Sequence, residues 1–137
     1  MSRAGVACAR APLGIMVEVP AAAIAIDLFD ADFLSIGSND LTQYVTAAAR
    51  DIGSVAALND PRHPAVLRLV AHVARHGRAT GRDVSLCGDA GGDPALIPAL
   101  LDAGLQTLSC APGQLGRAKL AVAACGSGGP DIGELFA

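Results

Sequence analysis

The chain has 137 residues, of which 52% are hydrophobic and 17% charged, with a net charge of −3. That supplies a real core for one domain and excludes a disordered chain. An acidic balance without a basic run, with only 3% aromatic residues, excludes a phosphate-gripping or base-stacking nucleic-acid surface.

Residues 1–12 show no clear period and form a lead-in. Residues 14–19 are a continuous apolar strand broken only by Glu18. A strand apolar on both faces belongs in a parallel sheet covered on both sides. Pro20 then opens a short helix, since proline is tolerated in a first turn. Residues 33–36 are the second strand. Residues 41–49 read as a helix with Asn39 or Asp40 as N-cap. Residues 51–64 are a polar, proline-containing loop.

Residues 65–78 give the clearest amphipathic helix, with Val66, Leu69, Val70 and Val73 at helical spacing and Gly81 ending it. Residues 84–87 are the third strand, and residues 88–92 a flexible turn. Asp93 and Pro94 then form a cap and first helical position, and that helix runs to about Ala103. Residues 107–110 are a short fourth strand and residues 114–124 a last helix. Residues 126–137 are a Gly-rich tail.

The order β-α-β-α-β-α-β-α implies a parallel sheet. Four such units are half of a (β/α)₈ barrel, but a doubly wound four-stranded sheet has the same element string. Either way, ligand chemistry belongs at the carboxyl ends of the strands. Three such ends carry reactive groups: Glu18, the pair Asn39-Asp40, and Cys87.

A carboxylate ending an apolar strand is costly to desolvate, so Glu18 either pairs with an arginine or binds a hard divalent cation. Asp40 stands at the next strand end. Two carboxylates with substrate oxygens and waters are the usual means of holding Mg²⁺. The competing role for Asn39 and Asp40 is helix capping, which only one of them can fill. Cys87 is either inert packing or a general acid beside a bound substrate.

Of the other cysteines, Cys110 ends the next strand and rivals Cys87, while Cys8 and Cys125 read as bystanders. No C-x-x-C pair marks a zinc site. His72 and His76 are one turn apart on an exposed helix face, and His63 orders a loop. Arg50 reads either as an ordinary surface charge or as a cation reaching back to an anion. No apolar stretch is long enough for a membrane span and residues 1–10 lack the apolar stretch of a signal peptide, so a cytoplasmic protein is expected.

Four runs together carry a resemblance. They are Gly14-Ile15-Met16-Val17-Glu18-Val19-Pro20, Phe33 to Tyr44 with its Gly37-Ser38-Asn39-Asp40-Leu41-Thr42-Gln43 core, Asn59-Asp60-Pro61-Arg62-His63-Pro64, and Leu86-Cys87-Gly88-Asp89. In this order and spacing the chain resembles the phosphoenolpyruvate (PEP)-utilising enzymes. The nearest match is the C-terminal PEP-binding domain of Enzyme I of the bacterial phosphotransferase system. Pyruvate phosphate dikinase and PEP synthase share that domain.

The resemblance implies a (β/α)₈ barrel of which residues 13–125 are the C-terminal half. Glu18 and Asp40 match its Mg²⁺ ligands, Asn39 and Arg50 its contacts to the phosphoryl group, and Cys87 its catalytic proton donor to the enolate carbon. The reaction implied is phosphoryl transfer from PEP to a protein histidine, releasing pyruvate. Sugar transport is the physiological setting it implies, and the phosphocarrier protein would bind through an absent N-terminal domain.

The first four strands and the phosphohistidine domain are expected to be missing, and none of His63, His72 or His76 matches the phosphorylated site. Little or no turnover by the chain alone follows. A half barrel has unpaired strand edges, so a homodimer or a complementary half-barrel partner is expected. The alternative functions are a non-catalytic assembly module, or part of a dikinase or synthase. Among the departures, Asp89 stands where most relatives have Glu, and Ala49 and Ile52 replace the usual Asp and Asn beside the arginine.

Overall fold

The computed structural model describes residues 9–126. Residues 1–8, with Cys8, and residues 127–137 of the expected tail lie outside the described residues. Four strands pair in parallel: β1 (Gly14–Val17), β2 (Phe33–Gly37), β3 (Asp83–Cys87) and β4 (Thr107–Leu108). Their spatial order is their order in the chain.

A doubly wound sheet needs a reversal of strand order. None occurs among the described strands, so the doubly wound alternative falls. Each crossover moves one strand along in the same direction, which stacks the helices on one face. Those helices are α1 (Pro20–Ile24), α2 (Ser38–Thr46), α3 (Pro64–Thr80), α4 (Ile97–Asp102) and α5 (Leu115–Cys125).

Parallel register puts paired residues on the same face. Val17, Ile36 and Leu86 form one buried row and Leu34 sits in the row before it. These side chains meet Ala23, Leu41, Leu67, Val70, Val73 and Leu100 from the helices, and that contact is the core. The opposite face carries Met16, Phe33, Ser35, Ser85 and Thr107, and no described element covers it. The apolar run of the first strand implies cover on both sides. Only the side that α1 and α3 reach is covered, because all the crossovers lie there.

Several boundaries move. Helix α2 begins at Ser38 rather than Leu41, with Gly37 as the N-cap and no side-chain capping bond. Neither Asn39 nor Asp40 is therefore the cap. Helix α2 also ends earlier, at Thr46, because Ala47 enters the left-handed region at φ 52°. The turn after Cys87 is not loose: Asp89–Gly92 is a 3-10 turn whose Ala90, Gly91 and Gly92 are buried.

The expected cap at Asp93 is displaced as well. Its Oδ1 accepts from the Ala95 N–H at 2.9 Å, while the regular helix starts at Ile97. His63 does order its loop, since its Nδ1 accepts from the Ala65 N–H at 3.2 Å and caps α3. Gly81 closes α3 at φ 67°, a conformation that glycine adopts without strain. His72 and His76 are half-buried rather than exposed, because α3 packs against α1, α2 and α4. At the other end of the sheet Asp32 ties down the lead-in, accepting from the Leu13 N–H at 2.8 Å and pairing with Arg10 at 3.1 Å.

Candidate functional site

Register assembles the site. Val17 pairs with Ile36, so Glu18 is the next residue along, level with Gly37, and Gly37 pairs with Cys87. Glu18, Gly37 and Cys87 therefore form one row across three adjacent strand ends, on the face without helices. The bare Cα of Gly37 makes the row possible. A Cβ there would stand 2.9 Å from Glu18 Cβ, 3.0 Å from Glu18 Oε2 and 3.3 Å from Met16 Sδ. The Glu18 carboxylate thus leans over the glycine, and the Met16 thioether fills the space beneath.

Glu18 and Asp40 are both half-buried. Neither carboxylate is engaged by another described residue. The arginine pair weighed for Glu18 is absent among the described residues, as is a capping role for Asp40. Asp40 instead occupies the first turn of α2, where its negative charge is favoured by the helix dipole.

The Cys87 thiol is half-buried and lies 3.8 Å from Ser35 Oγ, which donates to it, and 3.9 Å from Met16 Sδ. Its carbonyl accepts from Ser38 Oγ at 2.8 Å, which stitches the start of α2 to the end of β3. The rival thiol, Cys110, lies elsewhere. It lines a mainly apolar cavity of about 320 Å³ with Leu101, Leu108, Leu115 and Val122, on the helix side of the sheet.

Asn39 turns away from its own helix and meets the β3 loop. Its Nδ2 donates to Asp89 Oδ2 at 3.1 Å, and its Oδ1 accepts from the Asp89 N–H at 3.1 Å. Arg50 is exposed, but it lines a cavity of about 260 Å³ together with Ser38, Asn39, Thr42, Asn59 and Asp89. The fold thus brings Arg50 and Asn39 to one cavity although eleven positions separate them in the chain. Asn59 holds the wall of that cavity by donating to the Ala48 carbonyl at 2.7 Å.

Met16, Ser35 and Ser38 contribute to the site without any signal of their own in the sequence. Strand alternation is what would have found Met16 and Ser35; Ser38 opens α2 and joins the site through its bond to the Cys87 carbonyl. Met16 lies two residues before Glu18 on β1 and Ser35 two residues before Gly37 on β2, on the face that also carries Cys87.

Among the described residues, no three His, Cys, Asp or Glu side chains gather closely enough to hold a metal ion by themselves. No helix among the described residues is long and apolar enough to cross a membrane. A family model described as PEP-utilising enzyme, PEP-binding domain, matches residues 3–126. A phosphoenolpyruvate-protein phosphotransferase of Cupriavidus necator is 48% identical over 109 residues, covering 78% of this chain and 19% of that protein. A probable phosphoenolpyruvate synthase of Pyrococcus abyssi is 49% identical over 102 residues, covering 72% of this chain and 12% of that protein. A multiphosphoryl transfer protein of Xanthomonas campestris is 46% identical over 110 residues, covering 79% and 13% respectively. The chain therefore spans less than a fifth of the length of these curated relatives. With 124 consecutive positions matched by that model, the chain belongs to the PEP-binding domain family of the PEP-utilising enzymes.

Proposed function

We propose that this chain forms one wall of a PEP site in a phosphoenolpyruvate-protein phosphotransferase, with residues 13–125 as the C-terminal half of a (β/α)₈ barrel. The observation that carries the reading is the row of Glu18, Gly37 and Cys87 at adjacent parallel strand ends, with Asp40 following in the first turn of α2. The unreversed strand order, with helices on one face only, supports the half barrel.

Glu18 and Asp40 fit a magnesium ion, because both carboxylates are uncommitted among the described residues. With fewer than three protein ligands gathered, the donor set suits an ion that keeps waters and takes substrate oxygens. Bound there, Mg²⁺ would supply charge stabilisation for the enolate oxygen exposed when the phosphoryl group leaves.

The protein groups divide the remaining work. Asn39 and Arg50 bind the phosphoryl oxygens in their shared cavity, one by an amide N–H and the other by charge. Cys87 gives its S–H proton to the enolate carbon: the S–H bond breaks, a C–H bond forms, and pyruvate and a thiolate result. Its place on the uncovered face leaves the thiol open to substrate.

Binding of Mn²⁺, a magnetic substitute for Mg²⁺, in the presence of PEP tests the site by electron paramagnetic resonance. Glu18→Ala and Asp40→Ala should each weaken Mn²⁺ binding about tenfold or more with the fold intact. Equal affinity in all three proteins would refute the site. Because the chain corresponds to so little of its relatives, turnover alone is expected to be negligible. Pyruvate release by the purified chain with Mg²⁺ and a phosphocarrier protein would overturn that expectation. An assembly role is the second reading, favoured by the unpaired outer edges of β1 and β4 among the described strands. A sedimentation profile of a monomer at high concentration would count against it.

A further inference from the structure

We infer that Asp89 is a positioning residue: it locks the Asn39 side-chain amide in one orientation, leaving its one remaining N–H free for an anion in the cavity shared with Arg50. The inference rests on the phosphoryl-binding role proposed for Asn39. It goes beyond that role by assigning a function to Asp89 and a direction to the amide.

The argument begins with donors and acceptors. Asn39 Oδ1 faces the Asp89 backbone N–H at 3.1 Å, which can only donate. Asn39 Nδ2 faces Asp89 Oδ2 at 3.1 Å, which as a carboxylate can only accept. Rotating the amide by half a turn would set oxygen against carboxylate and N–H against N–H. Both contacts would then repel, so a single orientation survives. Ser38 Oγ lies 3.4 Å from Oδ1, but its one proton is already given to the Cys87 carbonyl at 2.8 Å, so the orientation rests on the two Asp89 contacts alone. Of the two N–H bonds on Nδ2 one is committed to Asp89, and the other has no described partner.

The backbone is built for this approach. Gly88 sits at φ 100°, where side chains other than glycine are strained. A Cβ at that position would collide with Ser38 Oγ and stand 2.9 Å from Asn39 Oδ1. The β3 loop comes this close to α2 only because residue 88 has no side chain. Asp89 therefore acts through Asn39 and Gly88 permits the contact.

The test uses the 137-residue chain and inorganic phosphate. Nitrogen-resolved NMR reads the two Asn39 amide protons separately. In the wild type, the proton bonded to Asp89 should be shifted downfield and depend weakly on temperature, and phosphate should move the other. Asp89→Ala should abolish the downfield shift and, because the amide is then free to turn, the selective response of one Asn39 proton to phosphate. Amide signals from β1 should stay in place, which a general structural defect would not allow. Should Asp89→Ala fail to fold, Asp89→Asn decides, because its neutral oxygen leaves a weaker bond and moves the proton part of the way upfield. Unchanged Asn39 amide protons in the folded variant would overturn the inference. If phosphate leaves the wild-type Asn39 protons unmoved, the phosphoryl-binding role of Asn39 fails and the free N–H has no anion to meet. The comparison without phosphate still separates that failure from an absent Asp89 lock.

Discussion

Val17 has no exposed surface, whereas Met16, one residue earlier, is 48% exposed. The same step separates Leu34, at 1%, from Phe33, at 41%. These pairs are neighbours in the chain and of similar hydrophobicity, so the contrast comes from the pleat: one face meets the helices and the other meets none. The difference assigns the faces separate work. The helix face holds the fold together, while the other carries the Met16 thioether, the Ser35 hydroxyl, the Glu18 carboxylate and the Cys87 thiol. A site needs groups that are not consumed by packing, and the bare face is where this fold leaves them.

Damaging each face in turn puts that contrast to the most severe test. Ile36→Ala removes a fully buried side chain from the helix face. It should cost about 3 kcal/mol of stability, read from the shift of a urea unfolding midpoint. A loss below about 1 kcal/mol would mean that the helix face does not carry the core. Gly88→Ala comes next, at about 2 kcal/mol from backbone strain and collision with Ser38, measured in the same way. It should also release the Asn39 contact, which the Asn39 amide signals report.

Glu18→Ala sits between the two faces in effect. It should leave unfolding unchanged while weakening Mn²⁺ binding about tenfold, equivalent to about 1.4 kcal/mol. A large loss of stability instead would make Glu18 a structural residue. Met16→Ala should have the smallest effect, within about 0.5 to 1 kcal/mol, since half of that side chain is already in water. A result matching that of Ile36→Ala would show that the second face is covered in solution, and would favour the assembly reading.

Much of this was legible along the chain. The apolar runs marked β1, β2 and β3 to within two residues at each end, and the long amphipathic period marked α3. The junctions were less so. Asn and Asp are good caps by local chemistry, and that chemistry pointed to the wrong start for α2. Ser38 was drawn into the helix by its bond to the Cys87 carbonyl, and Asn39 was turned toward Asp89, fifty positions away. Local preference lost to contacts that do not exist until β2 and β3 pair. The two histidines of α3 read as exposed from sequence for a similar reason: a helical wheel shows one packing face, and α3 has neighbours on several sides.

The linear order of residues is enough to specify the alternation of strands and helices, the family, and the placing of Glu18, Asn39, Asp40 and Cys87 just after apolar strands. All of these follow from local period and motif, which neighbouring residues carry. Folding adds which sheet face is bare, that Cys110 lies on the other side from Cys87, that Arg50 reaches the cavity of Asn39, and that Asp89 grips Asn39. Each depends on strand order and register, set by crossovers that join residues distant in the chain, and no local pattern encodes that pairing.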